Sequence, residues 1–324
     1  MLAKPRRFSA RPPRAPAAHG YNANVPARTR EYRRSELRNP ASKNLDRLSA
    51  LQIVRLMNRE DSKVAAAVSR ALPAIARAVD AIVAALRGGG RLIYVGAGSS
   101  GRIAVLDAAE CPPTFGTSPK LVQALIAGGR QAVTGAVEGA EDSPANAARD
   151  LRAINLTSKD VVVGICASGT TPYVLGALRF TSKRGAKTVA ITVNRNTAVA
   201  RLANVLIATG VGPEVLTGST RLKSGTAQKM VLNMLTTAAM TRLGHVYENL
   251  MIDVKASNRK VSERMVRILA EASGKNLSAA KHALRQSGHN LRVALVMLKR
   301  QVSAPEAAVK LRNAKGHLRE ALGE

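Results

Sequence analysis

The chain has 324 residues and a formal net charge of +29, with 46% apolar residues but only 2% aromatics and no tryptophan. A core of this size built from Ala, Val, Leu and Ile suits helices packed on a parallel sheet, and no apolar run reaches the length of a bilayer span. The two cysteines, Cys111 and Cys166, and the five histidines are scattered without ligand or disulfide spacing, which argues against zinc, any other metal, a thiol protease or a disulfide scaffold.

Residues 1–38 hold ten Lys or Arg against Glu31 and Glu36. Rich in proline and poor in large apolar side chains, this stretch is expected to be a disordered basic extension. Helical spacing of apolar residues begins at Asn44 and returns over 62–87, where Pro73 either kinks the helix or begins another and Gly88-Gly89-Gly90 stops it. Short β-branched runs then alternate with helical stretches. The runs at 91–95, 121–127, 160–167, 187–193 and 204–209 read as buried strands. This alternation predicts an α/β fold, a doubly wound parallel five-stranded sheet, with ligands beyond the carboxyl ends of the strands. A long helix follows over 225–243, and three shorter ones near 258–273, 277–286 and 290–300 form a small helical appendage. Residues 301–324 read as a basic tail. Basic ends suit contact with nucleic acid, but without stacking aromatics they fit solvated tails better.

Gly96, Gly98 and Gly101 spell G-x-G-x-x-G after a predicted strand and before a predicted helix, the context of a dinucleotide site. Such a site also needs an acid about 20 residues further on to hold the ribose hydroxyls. Residues 115–129 contain no Asp or Glu, so a nicotinamide cofactor is disfavoured and no cofactor is expected. Gly98, Ser99 and Ser100 instead open the helix, where free amides and the dipole favour an anion. A second turn, beyond the third strand, repeats the chemistry with Ser168, Gly169, Thr170 and Thr171. Either turn alone also reads as ordinary helix capping. Paired at one sheet edge, the two point to a phosphomonoester on a small molecule.

Seven segments, in order from about residue 38 to about residue 300, resemble the N-acetylmuramic acid 6-phosphate etherases, which are built on the sugar isomerase (SIS) domain. They are RNPASKNLD (38–46), GAGSSGR (96–102), LDAAECPPTFG (106–116), AVEGAEDS (136–143), ASGTTPYV (167–174), GPEVLTGSTRLKSGTAQK (212–229) and NLMIDVKASN (249–258). Glucokinase regulatory proteins share several of these motifs but carry two SIS units in a longer chain. The resemblance implies an SIS domain over 39–255 with its N-terminal helices, and a small UBA-like helical subdomain over 256–300. It also implies a cytoplasmic homodimer that takes an amino-sugar phosphate in peptidoglycan recycling.

The implied reaction is that of a lyase. The D-lactyl ether of the sugar is cleaved by syn elimination and water then adds, giving N-acetylglucosamine 6-phosphate and D-lactate. Such chemistry needs a base for the C2 proton and an acid for the departing alkoxide, and two carboxyls held at different pKa values serve both roles. By the resemblance Glu110 corresponds to the acid and Glu141 to the second carboxyl, the C2 base. Glu138 and Asp142 read better as solvated or capping carboxylates. Pro112-Pro113 reads as the stop of the helix that carries Glu110. Glu214, Thr217, Ser219, Thr220 and Lys223 form a polar run suited to sugar hydroxyls or phosphate, and the two cysteines read as small packing residues. Ser99 stands where the family usually has Thr, Ala109 where it has Ser, and Thr170 where it has Arg. The alternative reading is a non-catalytic SIS regulator that binds a sugar phosphate, and an aldose–ketose isomerase is a third. Retention of both Glu110 and Glu141 favours the etherase.

Overall fold

The computed structural model describes residues 34–255 and 259–324. Most of the expected disordered extension, residues 1–33, lies outside them. Its last residues do not: Arg34–Glu36 form a 3-10 turn in which Ser35 is fully buried, so the packed body begins before residue 39.

A capping box between Ser49 and Gln52 opens α1 (Ala50–Asp61). Then follow α2 (Lys63–Ser69) and α3 (Leu72–Arg87). Pro73 sits in the first turn of α3, where its missing N–H is no loss, so it begins a helix rather than kinking one. The next elements are β1 (Leu92–Gly96), α4 (Gly98–Phe115), β2 (Val122–Ile126), α5 (Gln131–Thr134) and α6 (Pro144–Ala153). The chain continues through β3 (Val161–Ile165), α7 (Pro172–Lys183), β4 (Lys187–Thr192), β5 (Val205–Ala208) and α8 (Lys223–Arg242).

The five strands pair in parallel in the order β2-β1-β3-β4-β5. Alternate side chains of each strand go to opposite faces. Leu92 and Tyr94 join a core made with α2, α3, α4 and α8, while Ile93 and Val95 join one made with α6 and α7. Asp160, just before β3, accepts from the Arg91 backbone N–H at 2.9 Å and from its guanidinium at 2.8 and 3.1 Å. That fork ties the starting ends of β1 and β3 together, and it outweighs burial to hold the Asp160 carboxyl below its ordinary pKa.

The expected stop at Pro112-Pro113 does not occur. α4 runs on to Phe115 and ends at Gly116, in the left-handed region at φ 64°, whose N–H donates to the Pro112 carbonyl at 3.0 Å. The prolines remove two helical donors, but Cys111 and Phe115 are buried on either side of them and hold the last turn against the core.

Beyond α8 a hairpin, β6 (Val246–Tyr247) and β7 (Leu250–Met251), leads to α9 (Arg259–Ser273), α10 (Leu277–Gln286) and α11 (Leu291–Arg300). Residues 301–324 are not a free tail. They form α12 (Ala304–Asn313) and α13 (Leu318–Leu322), which bury Ala307, Leu311, Leu318 and Leu322 in a core shared with α9–α11 and the hairpin. The segment is basic, but its apolar positions at 307, 311, 314 and 318 carry a helical period that packs it into this core.

Candidate active site

The turn after β1 places an uncapped helix end at the carboxyl edge of the sheet. Ala97 is the N-cap of α4 and has no side-chain acceptor, and the first turn contains no acid. Among the described residues its first amides therefore have no side-chain cap, at the positive end of an 18-residue helix. Gly98, at φ 51°, sets the turn, and Ser99 and Ser100 are half-buried beside it.

The turn after β3 is built differently. The buried Cys166 thiol donates to Thr171 Oγ1 at 3.0 Å and accepts from the Gly169 N–H at 3.1 Å and the Thr171 N–H at 3.4 Å. Ser168 Oγ accepts from the Thr170 N–H at 3.3 Å and the Thr170 hydroxyl at 3.2 Å. Ser168 and Thr171 are half-buried, Thr170 is exposed, and Gly169 is buried. The turn leads directly into α7, and β3 and β1 are adjacent, so both turns lie at one edge of the sheet.

Glu141 lies on the 3-10 turn Ala140–Asp142, which packs against α7, the helix the second turn opens. Its side chain is exposed. Glu110 lies elsewhere. It is on the outward face of α4 with the exposed Leu106, Ala109 and Pro113, while Asp107, Ala108 and Cys111 of the same turns face the core. Twelve residues separate it from Gly98, which at the helical rise is about 18 Å along the axis. Within one chain, then, the structure brings Glu141 to the side of the sheet where the turns are and leaves Glu110 far down α4.

Glu214 and Lys223, expected to reach sugar or phosphate, have inward partners. Glu214 is fully buried and caps α8: one carboxylate oxygen accepts from the Lys223 N–H at 3.0 Å, the other from the Ser224 N–H at 2.9 Å and hydroxyl at 2.7 Å. The buried Lys223 ammonium donates to Glu60 at 2.6 Å, and Asn39 donates to the same Glu60 oxygen at 2.9 Å. In this structure the two side chains cap α8 and bridge it to α1. Ser219 remains half-buried in the loop that leads into α8.

Two domain profiles match the chain: the glucokinase regulatory protein N-terminal SIS domain over residues 74–182, and the SIS domain over residues 140–238. The N-acetylmuramic acid 6-phosphate etherase of Pectobacterium atrosepticum is 54% identical over 288 residues, 89% of this chain and 95% of its own length. The chain belongs to the N-acetylmuramic acid 6-phosphate etherase family. The etherase of Serratia proteamaculans is likewise 54% identical, covering 89% of this chain and 97% of its own, and that of Clostridium beijerinckii is 50% identical over 290 residues. Among solved structures, the phosphoheptose isomerase GmhA from Neisseria gonorrhoeae aligns with a TM-score of 0.48 at 18% identity, over 60% of this chain and all of that one.

Several residues of this family member carry roles that their sequence context hides. Cys166, read as packing, organises the second turn. Asp107 lies among apolar neighbours one turn before Glu110, where Tyr94 donates to it at 2.9 Å and Thr236 at 3.2 Å. Burial pushes the Asp107 carboxyl up despite these bonds, and burial beside Asp107 pushes the Cys111 thiol up to about 12. Its position on the core side of an amphipathic helix was the only signal available. The amides of Asn194 and Gln228 are buried without a hydrogen-bond partner among the described residues. Among those residues no group of three or more His, Cys, Asp and Glu is arranged to hold a metal ion, and no helix is long and apolar enough to cross a membrane.

Proposed function

We propose that this protein cleaves the D-lactyl ether of N-acetylmuramic acid 6-phosphate in the cytoplasm, yielding N-acetylglucosamine 6-phosphate and D-lactate. The observation that carries the reading is identity of 54% over 89% of the chain with etherases of nearly equal length, with both glutamates retained.

The phosphate is held by the first-turn amides of α4 and by the hydroxyls of Ser99, Ser100, Ser168, Thr170 and Thr171. Ring opening exposes the C1 aldehyde, which acidifies the C2 proton. Glu141 removes that proton, the C3–O bond breaks, and Glu110 gives its proton to the lactate oxygen. An α,β-unsaturated aldehyde remains. Glu110, now a carboxylate, takes a proton from the water that adds at C3, and Glu141 returns its proton to C2. The sugar regains its hydroxyl and both carboxyls return to their starting states.

The test is incubation of purified protein with N-acetylmuramic acid 6-phosphate and assay of D-lactate. Absence of lactate with well-folded protein overturns the reading. In deuterated buffer, Glu141→Gln is expected to stop hydrogen exchange at C2 while Glu110→Gln preserves it; the opposite result reverses the two roles.

A further inference from the structure

We propose that the cleft outside β2 is a second ligand site, separate from the two hydroxyl turns, which takes a small carboxylate with an apolar body. Its occupant also restrains the turn that carries Glu141, and only that second part rests on the proposed etherase reaction.

β2 is an edge strand of the sheet, so its outer side carries backbone groups with no strand partner among the described residues. A cleft of about 750 Å³ lies along it, within the range of roughly 300–1,000 Å³ usual for small-molecule sites. Val105, Leu125, Val133, Val137 and Ile154 make its lining mostly apolar, and Val137 is 39% exposed. The wall opposite β2 is fixed without a ligand: the Arg102 guanidinium donates to the carbonyls of Ala132, Val133 and Gly135, which anchors α5. No residue of the two hydroxyl turns lines the cleft, and neither Glu110 nor Glu141 does.

Charge selects the ligand class. Arg130, Arg149, Glu138 and Asp150 also line the cleft. Asp150 is already engaged: the Tyr173 hydroxyl donates to it at 2.7 Å, and the Arg149 guanidinium lies 3.4 Å away. Among the described residues the Arg130 guanidinium has no hydrogen bond or ion pair, and Arg149, with a side chain 70% exposed, spends little of its donor fork on that long contact. Two guanidiniums beside an apolar floor match a carboxylate on an apolar body. Glu138, the acid left over, stands on the exposed loop after α5. The cleft also reaches Gly139 and Ala140, the residues just before Glu141. A ligand seated there pins this 3-10 turn from its inner side, which limits the travel of Glu141 between taking the C2 proton and returning it.

Titration of the full chain with octanoate, read by displacement of fluorescent anilinonaphthalene sulfonate, tests the site without catalysis. Saturable binding is expected. Arg130→Glu is expected to weaken it at least about tenfold, and Ala153→Trp, which fills the cleft from an exposed position at the end of α6, to abolish it, both with wild-type circular dichroism. Glu138→Gln removes the opposing charge and is expected to tighten it. Binding untouched by Arg130→Glu and Ala153→Trp overturns the site, and weakening by Glu138→Gln overturns the carboxylate class. If Ala153→Trp changes the sedimentation of the protein and leaves octanoate binding intact, the cleft is a contact between copies and the proposal falls. Saturating octanoate is expected to slow lactate release about fivefold in wild type and not in Arg130→Glu; an unchanged rate overturns the link to Glu141. If wild-type protein releases no lactate, the etherase reading fails by itself, and displacement still decides the cleft.

Discussion

The two turns at the carboxyl edge of the sheet draw on the same small set of residues and use them differently. After β1, Ala97 provides no cap, Gly98 opens the backbone, and the first amides of α4 stay available. After β3, the Cys166 sulfur and the Ser168 hydroxyl take up the amides of Gly169, Thr170 and Thr171. A phosphate approaching the first turn therefore meets backbone donors, and one approaching the second meets hydroxyls on a turn whose shape is already set. One turn leaves its polar groups open; the other uses them on itself.

Substitutions that are alike on paper should separate the two. Gly169→Ala is expected to be the most damaging, because φ is 78° and the added methyl would overlap the Thr197 side chain. A cost of about 2–5 kcal/mol in urea unfolding combines left-handed strain with overpacking. Cys166→Ala comes next: it leaves the amides of Gly169 and Thr171 without their acceptor, for a loss of about 1–3 kcal/mol, and Cys166→Ser should restore part of it. Gly98→Ala, at φ 51° with open space around the added methyl, should cost only about 1 kcal/mol by the same measurement. Equal losses at Gly98 and Gly169 would break the comparison. Smallest in stability is Ser99→Ala with Ser100→Ala, expected within about 0.5 kcal/mol of wild type while KM rises several-fold at unchanged kcat. A stability loss there like that of Cys166→Ala would show that the first turn is also tied to itself.

These contrasts mark how far the sequence could be read. The strands were legible because five β-branched runs, such as VVVGI at 161–165, have no competing helical period, and their observed limits lie within two residues of the expected ones. The turns themselves were legible because glycines and hydroxyl residues follow directly on the first and third β-branched runs. Direction was not legible. Glu214 and Lys223 stand in a polar run that suggested a ligand-facing loop, yet both turn inward, because polarity along the chain does not say which way a side chain points. The role of Cys166 depends on three partners that only the folded turn collects. Glu110 posed the opposite problem: its distance from the glycines follows from the helical rise alone, because both lie on α4 ahead of Pro112 and Pro113.

The cluster around Glu60 has a consequence for the response of the molecule to acid. Burial works to raise its pKa, but hydrogen bonds from Lys223, Lys63 and Asn39 outweigh it and bring the carboxyl down to about 2. The folded value lies below the ordinary 4.5, so the stability it contributes is complete above about pH 4.5 and is lost as pH falls toward 2. The same oxygens join Asn39, α1 and the start of α8, segments more than 160 residues apart in the chain. Acid therefore acts on a seam. Hydrogen exchange at the first turn of α8 should quicken as pH falls through this range, and Glu60→Gln should show much of that loosening at neutral pH.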